Sequence, residues 1–183
     1  MTAEADRNKN EVIRNNEAKL ASLYEEYYDK IAHYIFVRTG NRSEAEDLAG
    51  EVFVKALESA GTYKERGIPM QAWLFRIAHN LVVDHLRKAA KRKTVPLDTV
   101  QIENDANPVT IAEKNLELER VTRMMDKLTR EQREVLRLRF FGGLTSNEAG
   151  SVLRKSSGAV REMQRAAIEK LRNLLAEESQ SLG

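Results

Sequence analysis

The chain has 183 residues, 32% of them charged, 42% hydrophobic and 6% aromatic, which supplies small apolar cores and excludes a membrane protein. No run approaches the ~20 apolar residues of a bilayer span, and no apolar amino-terminal stretch reads as a signal peptide, so the expected compartment is the cytoplasm. The absence of cysteine excludes disulfide scaffolds, thiolate catalysis and zinc–thiolate sites, while scarce glycine and proline argue for helices over sandwiches and barrels.

Residues 1–16 are polar and are expected to form a loose tail. From Glu17 to Val37, Leu20, Leu23, Tyr24, Tyr27, Ile31, Tyr34 and Ile35 recur at three- and four-residue steps, which predicts a helix with one apolar face. Thr39-Gly40-Asn41 breaks it. Ser43, three residues before Glu46, has the spacing of a capping box and predicts the start of a second helix. The buried stripe of that helix would be Ala45, Leu48, Val52, Phe53, Ala56 and Leu57, and Gly61 would end it. Thr62 to Met70, with Gly67 and Pro69, reads as a loop. A third helix follows, with Trp73, Leu74, Ile77, Ala78, Leu81 and His85 or Leu86 on its inner side. These helices are expected to pack as a bundle over residues 17–93.

The net charge of +2 hides an uneven distribution: residues 94–113 carry four acidic and no basic side chains, and residues 114–175 carry 14 basic and 8 acidic ones. Arg87, Lys88, Lys91, Arg92 and Lys93 form the densest basic cluster. It reads equally as a nucleic-acid contact or as a solvated helix end, where cations suit the helix dipole. Residues 94–112, with Pro96, Pro108 and no clean period, read as an acidic flexible linker.

A second helical block is expected over 113–176, followed by a short tail at 177–183. Leu116, Val121, Met124, Met125 and Leu128 suggest its first helix. Thr129 can cap the next, filled by Val135, Leu136, Leu138, Phe140 and Phe141 and stopped by Gly142-Gly143. Thr145 and Ser146 can cap a short helix through Leu153. After a turn at 154–157, a last helix carries Val160, Met163, Ala167, Leu171 and Leu174 inward. A short helix, a tight turn and a longer helix have the shape of a helix-turn-helix. Its outward residues would be Ser157, Ala159, Arg161, Glu162, Gln164 and Arg165. In a DNA-binding motif Arg161 and Arg165 would bond guanine or phosphate, Gln164 would pair with adenine, and Arg154 and Lys155 would lie near the backbone. The alternative is a helical hairpin that only packs.

The string AEDLAGEVFVKA (45–56) resembles region 2.2 of the bacterial sigma-70 family, and WLFRIAHNLVVDHLR (73–87) resembles regions 2.3 and 2.4. QREVLRLRFFGGLT (132–145) and SGAVR (157–161) resemble region 4. Their order and short spacing resemble the two-domain extracytoplasmic-function sigma factors. The resemblance implies an all-α protein of two small domains, a region 2 bundle and a region 4 helix-turn-helix. It implies binding to core RNA polymerase and recognition of promoter DNA, with the first domain opening the −10 element and the second reading the −35 element as duplex. The second helix would dock on the clamp helices of the largest polymerase subunit through Asp47, Glu51 and Lys55, with the apolar Leu48 nearby. The loop from Tyr63 through Lys64 to Met70 would take a flipped −10 base, and Asn80 can offer it a donor and an acceptor. Arg76, Arg87, Lys88, Lys91 and Arg92 would hold phosphates. At the −35 element the contacts would come from Arg154, Lys155, Ser157, Ala159, Arg161, Gln164 and Arg165. Many relatives are controlled by an anti-sigma factor; no metal or cofactor is implied.

The residues keep alternatives open at two of these positions. Stacking on the base would come from Tyr63 or Trp73, but Trp73 lies on the apolar stripe and fits a core role better than a stacking platform, and Asn80 fits either a helix surface or a base reader. The chain also departs from the family pattern: Gly50 stands where Gln is common, Gly150 where Ala is usual, Arg154 where Gly is frequent and Ala166 where many relatives carry Arg. An enzyme is disfavoured because His33, His79 and His85 form no catalytic constellation and no glycine-rich phosphate loop is present. A regulator binding DNA alone through the helix-turn-helix would leave the first block idle, and the basic cluster argues against a pure interaction protein.

Overall fold

A computed structural model describes residues 2–93 and 120–181, and every regular element among them is helical. The acidic linker, Leu116 and the last two residues lie outside the described residues. Helix α1 (Thr2–Thr39) is longer than the sequence predicts, because residues 2–16 continue it instead of forming a loose tail. Ala, Glu, Lys and Arg in that stretch are good helix formers, and Ile13, Asn16 and Leu20 extend the inward face of the helix at helical spacing. Gly40, at φ 69°, ends α1 with its N–H on the Phe36 carbonyl, 2.8 Å.

Helix α2 (Arg42–Glu58) is capped by Asn41, whose side chain accepts from the Glu44 N–H at 3.0 Å. The cap is therefore Asn41 and not Ser43. The reversal at Thr39-Gly40 delivers Asn41 in extended conformation, so the helix is already under way when Ser43 is reached. Ala45, Leu48, Ala49, Val52 and Ala56 are buried, but Leu57 is 53% exposed. Helix α3 (Met70–Lys93) buries Ala72, Leu74, Phe75, Ala78 and Val82, while Trp73, Ile77 and Leu81 are half-buried. Its buried stripe is rotated from the expected one because α3 packs on two sides: α1 and α2 cover one, and the second block covers the other.

In the second block a helical segment, α4, runs over 120–126, with Met124 and Leu128 buried and Val121 exposed. Thr129 caps α5 (Arg130–Leu136) through a reciprocal capping box with Gln132, as its sequence predicts. The chain then widens into a π-helical turn, Arg137–Phe141, in which the Gly142 N–H bonds the Arg137 carbonyl five residues back. This wider turn places Phe140 and Phe141 at the surface instead of in the core; Phe141 stacks on His33 of α1 at a ring distance of 5.1 Å. Helices α6 (Ser146–Leu153) and α7 (Ser157–Ser181) follow, and α7 takes in most of the expected carboxy-terminal tail.

The two domains pack together. Val135, Leu138, Leu144, Ala149, Val152 and Val160 of the second join the buried cluster of the first. Gly142 permits the approach: a Cβ there would lie 2.6 Å from the Leu138 carbonyl oxygen and 3.0 Å from the Phe75 ring. A smaller cluster of Leu128, Leu136 and Ala167 holds α5 to α7.

Candidate nucleic-acid interface

The α6–turn–α7 unit is built by local chemistry. Thr145 accepts from the Glu148 N–H and Glu148 returns a bond from the Thr145 N–H, starting α6. Arg154 closes the helix in the left-handed region, φ 57° and ψ 45°, which a side chain adopts at a cost that glycine avoids. The Lys155 N–H then bonds the Gly150 carbonyl at 2.9 Å. A Cβ on Gly150 would lie 2.5 Å from the Lys155 carbonyl oxygen, which is the physical reason for glycine where alanine is usual. Ser156 Oγ accepts from the Ala159 N–H as α7 begins, and Val160 points into the core.

On the outward face, Arg154, Arg161 and Arg165 are exposed and Ser157 and Ala159 are half-buried. Gln164 is less available than its spacing suggests, since its amide oxygen accepts from Arg139 Nε at 2.8 Å. Lys155 pairs with Glu131 at 2.8 Å. Arg165 lies between Glu162 (3.1 Å) and Glu169 (3.6 Å).

In the first domain, Thr62, Tyr63, Lys64, Arg66, Ile68, Trp73 and Arg76 line a pocket of about 440 Å³ between the 60–69 loop and α3, within the usual size range of small-ligand sites. Tyr63 is buried, with its hydroxyl donating to the Ile68 carbonyl at 2.9 Å and its ring 4.9 Å from Trp73. It is a wall of the pocket and not an exposed stacking platform. Trp73 is half-buried, with one part in the packing and another on the pocket. Asn80 is exposed one helical turn beyond Arg76. Arg76 reaches the other domain, donating from Nη2 to the Ser151 carbonyl at 2.6 Å, and beside it Gln71 donates to Glu148 at 2.8 Å. Towards the end of α3, Arg87 and Lys88 share Asp84, whose carboxyl is held below its usual range by hydrogen bonds from Lys88 and Arg87. Lys91 and Arg92 are exposed.

On α2, Asp47, Glu51 and Lys55 are exposed, the last two paired at 3.5 Å. Leu48 is buried and belongs to the core side. The exposed apolar groups here are Val54 and Leu57, next to the tilted ring cluster of Tyr24, Tyr28 and Phe53. Sequence reasoning misses this apolar surface, because helical spacing puts Leu57 in the core; Phe53, placed there as well, is half-buried and does pack against it.

A polar cluster between the domains has no signal in the sequence. Glu134 Oε2 accepts from Tyr34 Oη (3.0 Å) and Arg38 Nη1 (3.2 Å) and lies 3.2 Å from His79 Nδ1, while Oε1 accepts from Arg137 at 2.7 Å. Burial raises the Glu134 pKa, but the His79 hydrogen bond and the charges of Arg38 and Arg137 outweigh it and hold the carboxyl well below its ordinary range. Burial, then the neighbouring Glu134 charge, pushes the Tyr34 hydroxyl far above its ordinary value, so it stays a donor. Among the described residues no helix is long and apolar enough to cross a membrane.

Residues 23–92 match the family described as Sigma-70 region 2, and residues 124–173 match Sigma-70, region 4. The chain is 35% identical over 162 residues to the ECF RNA polymerase sigma factor BldN of Streptomyces coelicolor, covering 86% of this chain and about 60% of the length of that relative. It is 37% identical over 139 residues to the ECF RNA polymerase sigma factor ShbA of Streptomyces griseus, covering 73% of this chain and 72% of that protein. Among solved structures, CnrH in complex with the cytosolic domain of CnrY has the same fold, with a TM-score of 0.67 at 24% identity over 92% of this chain and 95% of that one.

Proposed function

The chain belongs to the sigma-70 family, among its extracytoplasmic-function RNA polymerase sigma factors, and from that premise we propose that it is a transcription initiation factor that binds core RNA polymerase and directs it to open particular promoters. The observation that carries the reading is the presence, in one chain and in the family's order, of a helical bundle with a basic-walled pocket and a helix-turn-helix with arginines on its outward face.

Each domain has a task its chemistry suits. The pocket beside Trp73 receives an unstacked −10 base; unstacking costs a few kcal/mol, which stacking and base-edge bonds must return. Lys64 and Arg76 at the pocket, Asn80 next to it, and Arg87, Lys88, Lys91 and Arg92 along α3 supply base and phosphate contacts. Arg154, Lys155, Ser157, Ala159, Arg161, Gln164 and Arg165 face the −35 duplex. Asp47, Glu51 and Lys55, joined by Val54 and Leu57, form the polymerase-docking face of α2.

Because Arg76 and Gln71 are held by the second domain, the packed arrangement must open before the −10 face is complete. CnrH is seen in complex with the cytosolic domain of CnrY, and a regulatory partner of this chain, an anti-sigma factor, would act by covering the same faces. The work proposed for the chain is binding, as an initiation factor of the family it belongs to. Its workplace is the cytoplasm, where polymerase and promoter DNA meet.

The test is transcription in vitro. Core polymerase with this chain should yield promoter-specific RNA that core polymerase alone does not. Equal transcription without the chain would overturn the reading and favour a regulator that binds DNA by itself.

A further inference from the structure

The wall of the pocket opposite Trp73 is short, polar and surface-lying. Trp73 and Arg76 stand on α3, whose neighbours Ala72, Leu74 and Phe75 are fully buried, so that side is fixed by the core. In the segment 60–65 the core anchors are Ala60 and the Tyr63 ring; Thr62, Lys64, Glu65, Arg66 and Gly67 are exposed. The ties from another helix come from the amino-terminal half of α1. Asn16 Nδ2 donates to the Ala60 carbonyl at 2.7 Å and approaches the Tyr63 carbonyl at 3.4 Å. Ile13 lies against Gly61, close enough that a Cβ there would come within 3.2 Å of its Cγ1. Lys19 pairs with Glu65 at 3.0 Å. These three residues precede the stretch that matches Sigma-70 region 2, which begins at residue 23.

We propose that residues 13–19 of α1 are a strut that sets the 60–65 wall of the pocket, and that Asn16 is a positioning residue for capture of the unpaired −10 base. Asn16 suits this task because one amide group fixes carbonyls three residues apart, at both ends of the turn that leads into the pocket. The exposed Lys19–Glu65 pair adds little, being open to solvent and salt. Ile13 gives the strut its apolar footing. With the amide removed, the turn retains its own bonds, from the Thr62 and Tyr63 N–H groups to the Ser59 carbonyl, but not its tie to α1.

The inference rests on the reading of this pocket as the −10 base site, and Trp73, the chain's one tryptophan, separates the two. Holoenzyme, in which the packed arrangement has opened, is titrated with a single-stranded −10 oligonucleotide carrying 2-aminopurine, and quenching of that base is compared with quenching by the Trp73→Leu holoenzyme. The corresponding holoenzymes are assayed for permanganate reactivity of −10 thymines and for binding to a −35 duplex. We expect Asn16→Ala to weaken both oligonucleotide binding and opening about three- to tenfold, the worth of a hydrogen bond. Asn16→Asp, which sets a carboxylate against two carbonyls, should be worse, and Asn16→Gln, which keeps the amide, should recover part of the loss. Binding to the −35 duplex should stay at the wild-type level, and the thermal transition should fall by no more than about 2–4 °C per kcal/mol of the lost bond. Wild-type quenching and opening in both the Ala and Asp variants would overturn the positioning role alone. Loss of −35 binding in parallel with opening would also overturn it, by showing a general folding defect. Equal quenching of the oligonucleotide by wild-type and Trp73→Leu holoenzymes would overturn the pocket reading and the strut with it.

Discussion

Arg38 of α1 and Glu134 of α5 form an ion pair at 3.2 Å across the boundary between the two domains, with both side chains about 95% removed from solvent. Charges so deeply buried are expensive unless every partner is present. Here the carboxylate is served by Tyr34, Arg38 and Arg137 and faces His79, so two helices of the first domain and the α5 region of the second converge on one group. Removing Glu134 would take away the carboxylate that Arg38 and Arg137 share. Glu134→Ala should therefore destabilise the packed form by about 3–5 kcal/mol. Calorimetry should show a lowered transition or two separate ones, and small-angle scattering should show a larger radius. An unchanged melting curve and radius would mean that the cluster does not hold the domains together.

The same group gives a pH dependence with a definite sign. Glu134 has a folded pKa held well below its ordinary value of 4.5, so its contribution is complete above that value and is lost as pH falls towards the folded pKa. Thermal melts of wild type and Glu134→Gln should differ by a constant amount at neutral pH. The gap should close progressively below about pH 4.5 as the wild-type carboxylate binds its proton. Parallel curves down to acid unfolding would remove Glu134 from the titration.

Two glycines make opposite predictions. Gly50 lies within α2, and a Cβ at that position would meet nothing within 4 Å, so Gly50→Ala should stabilise by about 1 kcal/mol through helix propensity alone. Gly150 lies in α6, where a Cβ would fall 2.5 Å from the Lys155 carbonyl oxygen, and backbone has to move to admit a methyl. Gly150→Ala should cost about 1–3 kcal/mol. Denaturant melts of the two variants check both signs, and a stable Gly150→Ala protein would mean that the turn is looser than its geometry.

Where one physical rule governs a position, the sequence is sufficient. Thr129 and Thr145 cap their helices because Gln132 and Glu148 stand three residues on, and such reciprocity is local. The helix-turn-helix is legible for the same reason. Positions whose fate depends on the other domain are not. Phe75 is fully buried because it meets Tyr27 and Tyr34 on one side and Gly142 on another, which no stripe on α3 alone announces. Glu134 carries the charge of a solvated residue and is buried only because Arg38 and His79 arrive from elements 96 and 55 residues away. Helical spacing places Phe140 and Phe141 in a core, and a π-helical turn moves them out of register. The candidate DNA residues are legible as types and spacing, but their present partners, Arg139 on Gln164 and Ser151 on Arg76, are not.

On α7, the partners of the arginines decide how each should behave at the −35 element. Arg161 is exposed, whereas Arg165 is bridged by Glu162 and Glu169 on its own helix. Those pairs are in full contact with solvent, so they are screened and released at little cost, but they compete with DNA for the same guanidinium. Arg161→Ala should weaken binding of the holoenzyme to a −35 duplex by about five- to 100-fold if it bonds a base edge, and should relax preference at one base position. Arg165→Ala should cost less, because wild-type Arg165 must first leave Glu162. Glu162→Gln should tighten binding by removing one of the two competitors for Arg165 and its repulsion of phosphate. Titrations at several salt concentrations separate base from phosphate contacts: losing a phosphate contact lowers the salt slope by about one, and losing a base contact leaves it unchanged. Equal affinity of wild type and Arg161→Ala for matched and mismatched −35 duplexes would take the start of α7 out of sequence reading.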